Sequence, residues 1–270
     1  MPELPEVETT RRGIEPWLKD RTITQVLVHN ASLRWPVPDD IALLSGLPID
    51  TISRRGKYLL LSNSRGSAIV HLGMSGSLRV CEGDVARRKH DHVEFLLDTG
   101  YRLRLHDPRR FGCVLWTGEP VTEHPLIASL GPEPLSDDFT ADYLFEATRR
   151  RKVAIKNLIM DSHVVVGVGN IYASESLFMA GIRPTRAAQR VTRAEADRLT
   201  STIREVLGDA IRQGGTTLRD FVNSEGNPGY FAQSLRVYGR TGEPCRQCGE
   251  PIKMKVIGQR ASFYCPRCQK

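Results

Sequence analysis

Four cysteines near the C-terminus constrain this chain more than any other feature. Two residues lie between Cys245 and Cys248 and two between Cys265 and Cys268, and sixteen residues separate the pairs. Each Cys-x2-Cys can turn tightly enough to present two sulfurs to one ion, and four thiolates around a tetrahedral ion leave no position open to water. The spacing predicts one structural zinc ion in a small ribbon. From Arg240 to Lys270 there are seven Lys or Arg against two Glu. A segment this polar cannot fold on apolar burial alone, so the metal must supply much of its folding free energy. Cys81 and Cys113 stand far apart, a usage that suits a reducing compartment better than a disulfide framework.

The 270 residues carry a formal charge of +7, which favours a polyanionic partner. No run of eighteen apolar residues occurs, and the N-terminus lacks a basic segment followed by an apolar one. The expectation is a soluble, cytoplasmic protein with no membrane contact.

The hydrophobic period changes along the chain. After a helix from Pro5 toward Leu18, the stretches Thr22–His29, Asp50–Leu61, Ala68–Val80 and Val114–Trp116 read as β. Val93, Phe95 and Leu97 alternate with polar residues, Asp98-Thr99-Gly100 turns, and Tyr101, Leu103 and Leu105 alternate again. Period two implies one buried and one wet face, hence a sandwich or barrel. Gly131–Pro134 reads as a linker. Beyond it, Ser136 could cap a helix reaching Arg149–Lys152, and Val153–Met160 and Ile171–Ala180 are further helices. Thr192 and Glu195 form a capping box for a helix closed by Gly214-Gly215.

The opening residues, Met1-Pro2-Glu3-Leu4-Pro5-Glu6-Val7-Glu8, bear a second chemistry. Removal of Met1 leaves proline's secondary amine at the terminus, and an α-amine holds its proton less tightly than a lysine. Such an amine can attack an aldehyde-level carbon to give an iminium, with Glu3, Glu6 and Glu8 as proton-transfer groups nearby. The same residues also suit an ordinary helix start, with Pro5 in the first turn and acids near the positive end of the dipole. His71–Gly76 and His106–Gly112 are loop-like ends of strands that offer Met74, Arg109 and Phe111 between small or rigid residues. Thioether and aromatic side chains can fill a gap in a base stack, although a lone Met or Phe is usually core. The scatter of His71, His90, His92 and His106 over strands argues against a metal there. Gly167-x-Gly169 lacks the third glycine of a dinucleotide fingerprint, but amides and Asn170 at a helix start suit a phosphate.

Together these residues resemble bacterial formamidopyrimidine-DNA glycosylases over essentially the whole chain. The resemblance rests on Pro2–Glu8, His71–Gly76, Asp107–Gly112, Val166–Glu175, Gly214–Phe221 and Gln259–Lys270 with its cysteines. It implies a multidomain α+β fold: an N-terminal catalytic β-sandwich with its helix (1–131), a helix–two-turn–helix domain (132–225), and a lesion-loop end with the zinc domain (226–270, the hairpin from about 236). It implies a monomeric, bifunctional glycosylase and abasic-site lyase acting on duplex DNA with a damaged base or an abasic site. Pro2 is then the nucleophile, Glu3 the acid/base group, and Glu6 an aid to positioning or proton transfer. Lys57 and Arg260 join the catalytic set, and His71, His92, Arg109, Lys152, Asn170 and Arg260 bind DNA. Met74, Arg109 and Phe111 form the wedge, Glu6, Tyr172 and Glu175 line the lesion pocket, and Thr216–Tyr230 closes over the flipped base. The alternatives are an endonuclease VIII-like enzyme for oxidised pyrimidines and a non-catalytic zinc-ribbon relative. Met74 with Arg109/Phe111 argues against the first, and Pro2, Glu3 and Lys57 together argue against the second.

Overall fold

A computed structural model describes residues 2–216 and 231–270. Contacts divide the chain into two units, Met1–Ser129 with Gln213–Ala232, and Leu130–Arg212 with Gln233–Lys270.

The first unit begins with α1 (Leu4–Leu18), whose residues Val7, Ile14 and Leu18 enter the core. Eight antiparallel strands follow: β1 (Ile23–Val28), β2 (Thr51–Arg55), β3 (Tyr58–Asn63), β4 (Gly66–His71), β5 (Ser77–Glu82), β6 (Asp91–Leu97), β7 (Tyr101–His106) and β8 (Cys113–Thr117). They form two four-stranded sheets, ordered β1-β6-β7-β5 and β2-β3-β4-β8. The core takes Ile23, Leu78, Val93, Phe95, Leu103 and Leu105 from one sheet and Ile52, Leu59, Leu61, Val70 and Val114 from the other. This is the sandwich that the alternation predicts. Two of the predicted strands are each two strands. Asp50–Leu61 breaks at Gly56, whose φ of +56° makes a tight turn, and Ala68–Val80 breaks at Gly73–Gly76, where the chain leaves one sheet for the other. A short helix, α2 (Pro125–Ala128), ends the unit's first segment.

The outer face of β6 and β7 is not wet. Glu94 and Arg104 are buried, with Arg104 Nε donating to Glu94 Oε2 at 2.9 Å. The Arg104 guanidinium also donates to the Val85 carbonyl at 2.7 Å and the Ala86 carbonyl at 3.2 Å. The segment after β5 therefore covers this face, and the polar alternation reflects a buried ion-pair network rather than solvent.

The second unit contains α3 (Ala141–Thr148), α4 (Ile155–Ile159), α5 (Asn170–Met179) and α6 (Arg193–Arg212), followed by the hairpin β9 (Lys253–Ile257) and β10 (Arg260–Tyr264). α5 is buried from Ile171 to Phe178, and α6 is amphipathic, burying Leu199, Ile203, Val206 and Leu207. The expected Thr192/Glu195 box is present: Thr192 N–H donates to Glu195 Oε2 at 2.9 Å, and Glu195 N–H to Thr192 Oγ1 at 3.3 Å. Ser136 does not cap α3. Its hydroxyl turns back to the Glu133 carbonyl at 2.9 Å, and Thr140 Oγ1 accepts the Tyr143 N–H at 3.0 Å instead. Phe178, Val237, Ile252, Cys245 and Cys265 form a small core beside the hairpin. Among the described residues no helix is long and apolar enough to cross a membrane.

Candidate functional site

In the first unit, Pro2, Glu3 and Glu6 are all buried at the start of α1. Burying two carboxylates is costly unless they are hydrogen-bonded, and Glu6 meets that demand on both oxygens. Its Oε2 accepts the Glu3 N–H at 2.9 Å, and its Oε1 accepts the Thr216 N–H at 2.8 Å and the Thr216 hydroxyl at 3.0 Å. Gly215 comes so close that a Cβ there would lie 2.9 Å from Glu6 Oε1, at a φ of +81°. The same carboxylate thus holds the backbone beside Pro2 and the point where residues 217–230 depart. Phe231 N–H returns to the Gly215 carbonyl at 3.0 Å. Of the expected closing segment Thr216–Tyr230, only Thr216 lies within the described residues. Two residues further along α1, Glu8 bonds Arg11, Arg12 and Arg54. Burial raises its pKa, but the hydrogen bonds from Arg11 and Arg12 and the charges of Arg11 and Arg54 outweigh this and hold it below the usual carboxylate value.

Strand register explains why the other residues gather. Tyr58 pairs with His71 and His71 with Cys113 in one sheet, while Ser77 and Asp91 both pair with His106 in the other. Loop 72–76 therefore leaves the end of β4 for β5, and loop 107–112 leaves β7 for β8, both crossing between sheets at one end. The Gly56-Lys57 turn, with Lys57 half-buried, lies at that end too. The loops touch backbone to backbone: a Cβ on Gly73 would lie 2.5 Å from Gly112 N. Met74 and Phe111 stay 37% and 45% exposed on this support, and the Arg109 guanidinium lies 4.8 Å from the Phe111 ring centroid. At this exposure each side chain leaves roughly 0.5–1.5 kcal/mol of burial unrealised, which is available to a ligand that covers it.

His71 is a neutral donor here. Its pKa is lowered to about 4 by burial first, then by the charges of Lys57 and Arg34. Its Nδ1 accepts the Gly73 N–H at 2.9 Å, which places the ring hydrogen on Nε2. His92, expected on DNA, is only 4% exposed, and its Nε2 bonds the Asp107 carbonyl at 2.8 Å. It supports loop 107–112 and has no open face for a phosphate. Its neighbour His90 is more accessible; its carbonyl accepts the Asp107 N–H at 3.0 Å, and its ring packs edge-on to those of His92 and His106. The DNA-binding place that the resemblance gives His92 thus falls on a side chain whose visible bond is to the protein backbone.

In the second unit, the residue that sequence reasoning misses is Lys156. It is fully buried on α4, and its Nζ donates to Asn170 Oδ1 and Ser262 Oγ at 2.5 Å each and to the Ala261 carbonyl at 3.2 Å. Asn170, the first residue of α5, also donates from Nδ2 to the Ala261 carbonyl at 3.0 Å. Lys156 and Asn170 thereby fix the strand that carries Arg260, which is exposed next to the β9–β10 turn. A lysine between Ile155 and Asn157 in an apolar helix is the signal that could have found it. Lys152 is exposed just beyond α3.

Glu175 and Tyr172, expected at the lesion pocket, are both fully buried on α5. Glu175 accepts three backbone N–H groups, from Arg236 at 2.8 Å and from Val237 and Tyr238 at 2.9 Å each. With both oxygens engaged, this carboxylate holds the 236–238 backbone in place.

The cysteine sulfurs fit zinc. All four lie within 4.8 Å of one another, with Cys245–Cys268 at 3.9 Å and Cys248–Cys265 at 3.5 Å. Tetrahedral bonds of about 2.3 Å require sulfurs about 3.8 Å apart. Four thiolates close the coordination sphere, so the ion is structural.

Comparisons with known proteins match this geometry. Residues 1–114 match the formamidopyrimidine-DNA glycosylase N-terminal domain, 130–222 the H2TH domain of that family, and 242–270 a zinc finger found in FPG and IleRS. The formamidopyrimidine-DNA glycosylase of Thioalkalivibrio sulfidiphilus is 62% identical over 271 residues, covering 100% of both chains. The crystal structure of the MutM (FPG) protein of Thermus thermophilus superposes with a TM-score of 0.90 at 38% identity, covering 99% of this chain and 98% of that one. A Lactococcus lactis FPG mutant in complex with Fapy-dG containing DNA superposes with a TM-score of 0.92 at 32% identity, covering 100% of both. By full-length identity and three matching domains, the chain belongs to the formamidopyrimidine-DNA glycosylase family.

Proposed function

We propose that this chain is a base-excision-repair glycosylase and abasic-site lyase that removes oxidised purines, 8-oxoguanine and formamidopyrimidines, from duplex DNA as a cytoplasmic monomer. The observation that carries the reading is the combination, within one unit, of a buried Pro2–Glu3–Glu6 stretch and two crossover loops that leave Met74, Arg109 and Phe111 exposed. A Lactococcus relative crystallised with Fapy-dG containing DNA supports the substrate class.

The chemistry follows from these residues. Flipping a nucleotide out of the stack costs a few kcal/mol. Burial of Met74 and Phe111 in the vacated space offsets part of that cost, and Arg109 faces the orphaned base. Lys57, Lys152 and Arg260 supply cationic contacts to phosphates, while His71 donates its Nε2–H as a neutral group and His90 replaces His92 on the DNA side. After Met1 is removed, the Pro2 nitrogen attacks C1′; the C1′–N bond to the base breaks and the base departs with a proton. Ring opening gives an iminium that acidifies the C2′–H, and Glu3 is placed to move protons at this stage. Loss of that proton breaks the C3′–O bond, and a second elimination breaks the C5′–O bond. Glu6 holds the backbone at Glu3 while these steps proceed. The zinc ion enters no step; it holds the hairpin that presents Arg260.

Incubation with duplexes carrying one 8-oxoguanine or one thymine glycol tests this. Release of 8-oxoguanine with a gapped strand ending in phosphates is expected. Faster processing of thymine glycol, or binding without any cleavage, would overturn it.

A further inference from the structure

We infer that Asp107 is a positioning residue for the wedge, acting by fastening the two loops that carry it. The inference rests on the wedge reading above. Asp107 is fully buried. Its Oδ1 accepts the Ser75 hydroxyl at 3.1 Å, from the residue next to Met74. Its Oδ2 accepts the Gly112 N–H at 2.8 Å, from the residue next to Phe111. Its backbone is held as well, the carbonyl by His92 at 2.8 Å and the N–H by the His90 carbonyl at 3.0 Å.

The arrangement has more than a local meaning because the loops belong to different crossovers. Residues 72–76 and 107–112 are separated in sequence by the three strands β5, β6 and β7. The spacing of Met74 from Phe111 and Arg109 is therefore set by tertiary contacts alone. Gly73 and Gly112 allow the close approach, and Asp107 is the side chain that bonds both loops. Arg110 at a φ of +57° and the Arg34 N–H on the Gly112 carbonyl at 3.1 Å complete the turn. A carboxylate suits the position because it accepts from two donors at once. Asparagine can do nearly the same, with Oδ1 toward Gly112 and its amide toward a rotated Ser75 hydroxyl. Alanine can do neither and leaves the Gly112 N–H buried without an acceptor.

Three variants test the inference: Asp107→Ala, Asp107→Asn and Ser75→Ala. Two readings are taken on 8-oxoguanine duplexes. One is the ratio of excision opposite cytosine to that opposite adenine, and the other is the fluorescence of a 2-aminopurine placed beside the orphaned base. Asp107→Ala should lower the ratio about tenfold, the scale of one lost base contact, and weaken the fluorescence change. Asp107→Asn should restore both to within about twofold, since it rebuilds both bonds. Ser75→Ala, which removes one hydroxyl, should fall between them and decides the matter if Asp107→Ala does not fold. A wild-type ratio and signal in folded Asp107→Ala, or in Ser75→Ala, would overturn the inference, as would Asp107→Asn behaving like Asp107→Ala. Absence of any fluorescence change with the wild-type protein would instead remove the wedge reading itself.

Discussion

Replacing Glu175 separates two readings of the same carboxylate. The side chain is fully buried and receives three backbone N–H groups from residues 236–238. Orphaning a buried donor costs about 1–3 kcal/mol. In Glu175→Ala the Val237 amide is deeply buried, while Arg236 and Tyr238 are half-buried and can recruit water. The expected loss is therefore about 3–6 kcal/mol rather than the full sum. In Glu175→Gln the carbonyl oxygen can keep Val237 and Tyr238, but the amide confronts the Arg236 N–H donor to donor. That variant should lose about 1–2 kcal/mol. Trp17, Trp35 and Trp116 all lie in the first unit, so their fluorescence does not follow this region. Urea unfolding should be followed by far-UV circular dichroism, which sees α3–α6, with zinc release measured in parallel because Val237 packs with Cys245 and Cys265. The order wild type, Gln, Ala in falling stability is the expected result. A Glu175→Ala protein with the wild-type transition that nevertheless loses lesion excision would refute the reasoning and return Glu175 to the pocket.

The His71 ring should titrate by NMR near 4, where burial and the Lys57 and Arg34 charges hold it, and a midpoint near the ordinary 6.5 would contradict its role as a neutral donor. Since the unfolded chain takes up this proton first, the stability it contributes is complete above about 6.5 and is lost as the pH falls toward 4. Cys248→Ser should release zinc and disorder the hairpin while leaving the first unit's tryptophan fluorescence intact, and the salt slope of duplex binding should become shallower as the Arg260 contact disappears. Arg260→Ala should reproduce part of that change with zinc retained; an unaltered salt slope would mean that Arg260 grips no phosphate.

Local rules made much of this fold legible. The strand alternation of Val93–Leu105, the Thr192/Glu195 box and the paired cysteines each depend on neighbours within a few residues, and all appear as expected. What was hidden depends on tertiary contacts. The polar face of β6 reads as wet because sequence cannot reveal that Val85 and Ala86 fold over it, and the bond from His92 to the Asp107 carbonyl is equally invisible there. The backbone-holding bonds of Glu175 are hidden because their three donors come from a segment sixty residues away. Lys156 is missed for the complementary reason: a lysine in a helix normally points to water, and its acceptors come from the start of α5 and from the hairpin. Asp107 was visible as part of a motif, but its two-loop bond requires both crossovers to be in place.

The central claim is that the Pro2 amine forms a covalent bond with the damaged nucleotide. The most direct measurement is borohydride reduction of the wild-type protein on a duplex with one 8-oxoguanine opposite cytosine, followed by mass spectrometry of the proteolysed adduct. The account predicts a reduced adduct on the N-terminal peptide beginning at Pro2, and none in protein shown to retain Met1. Efficient trapping on a lysine such as Lys57, or an adduct with Met1 still attached, would contradict it.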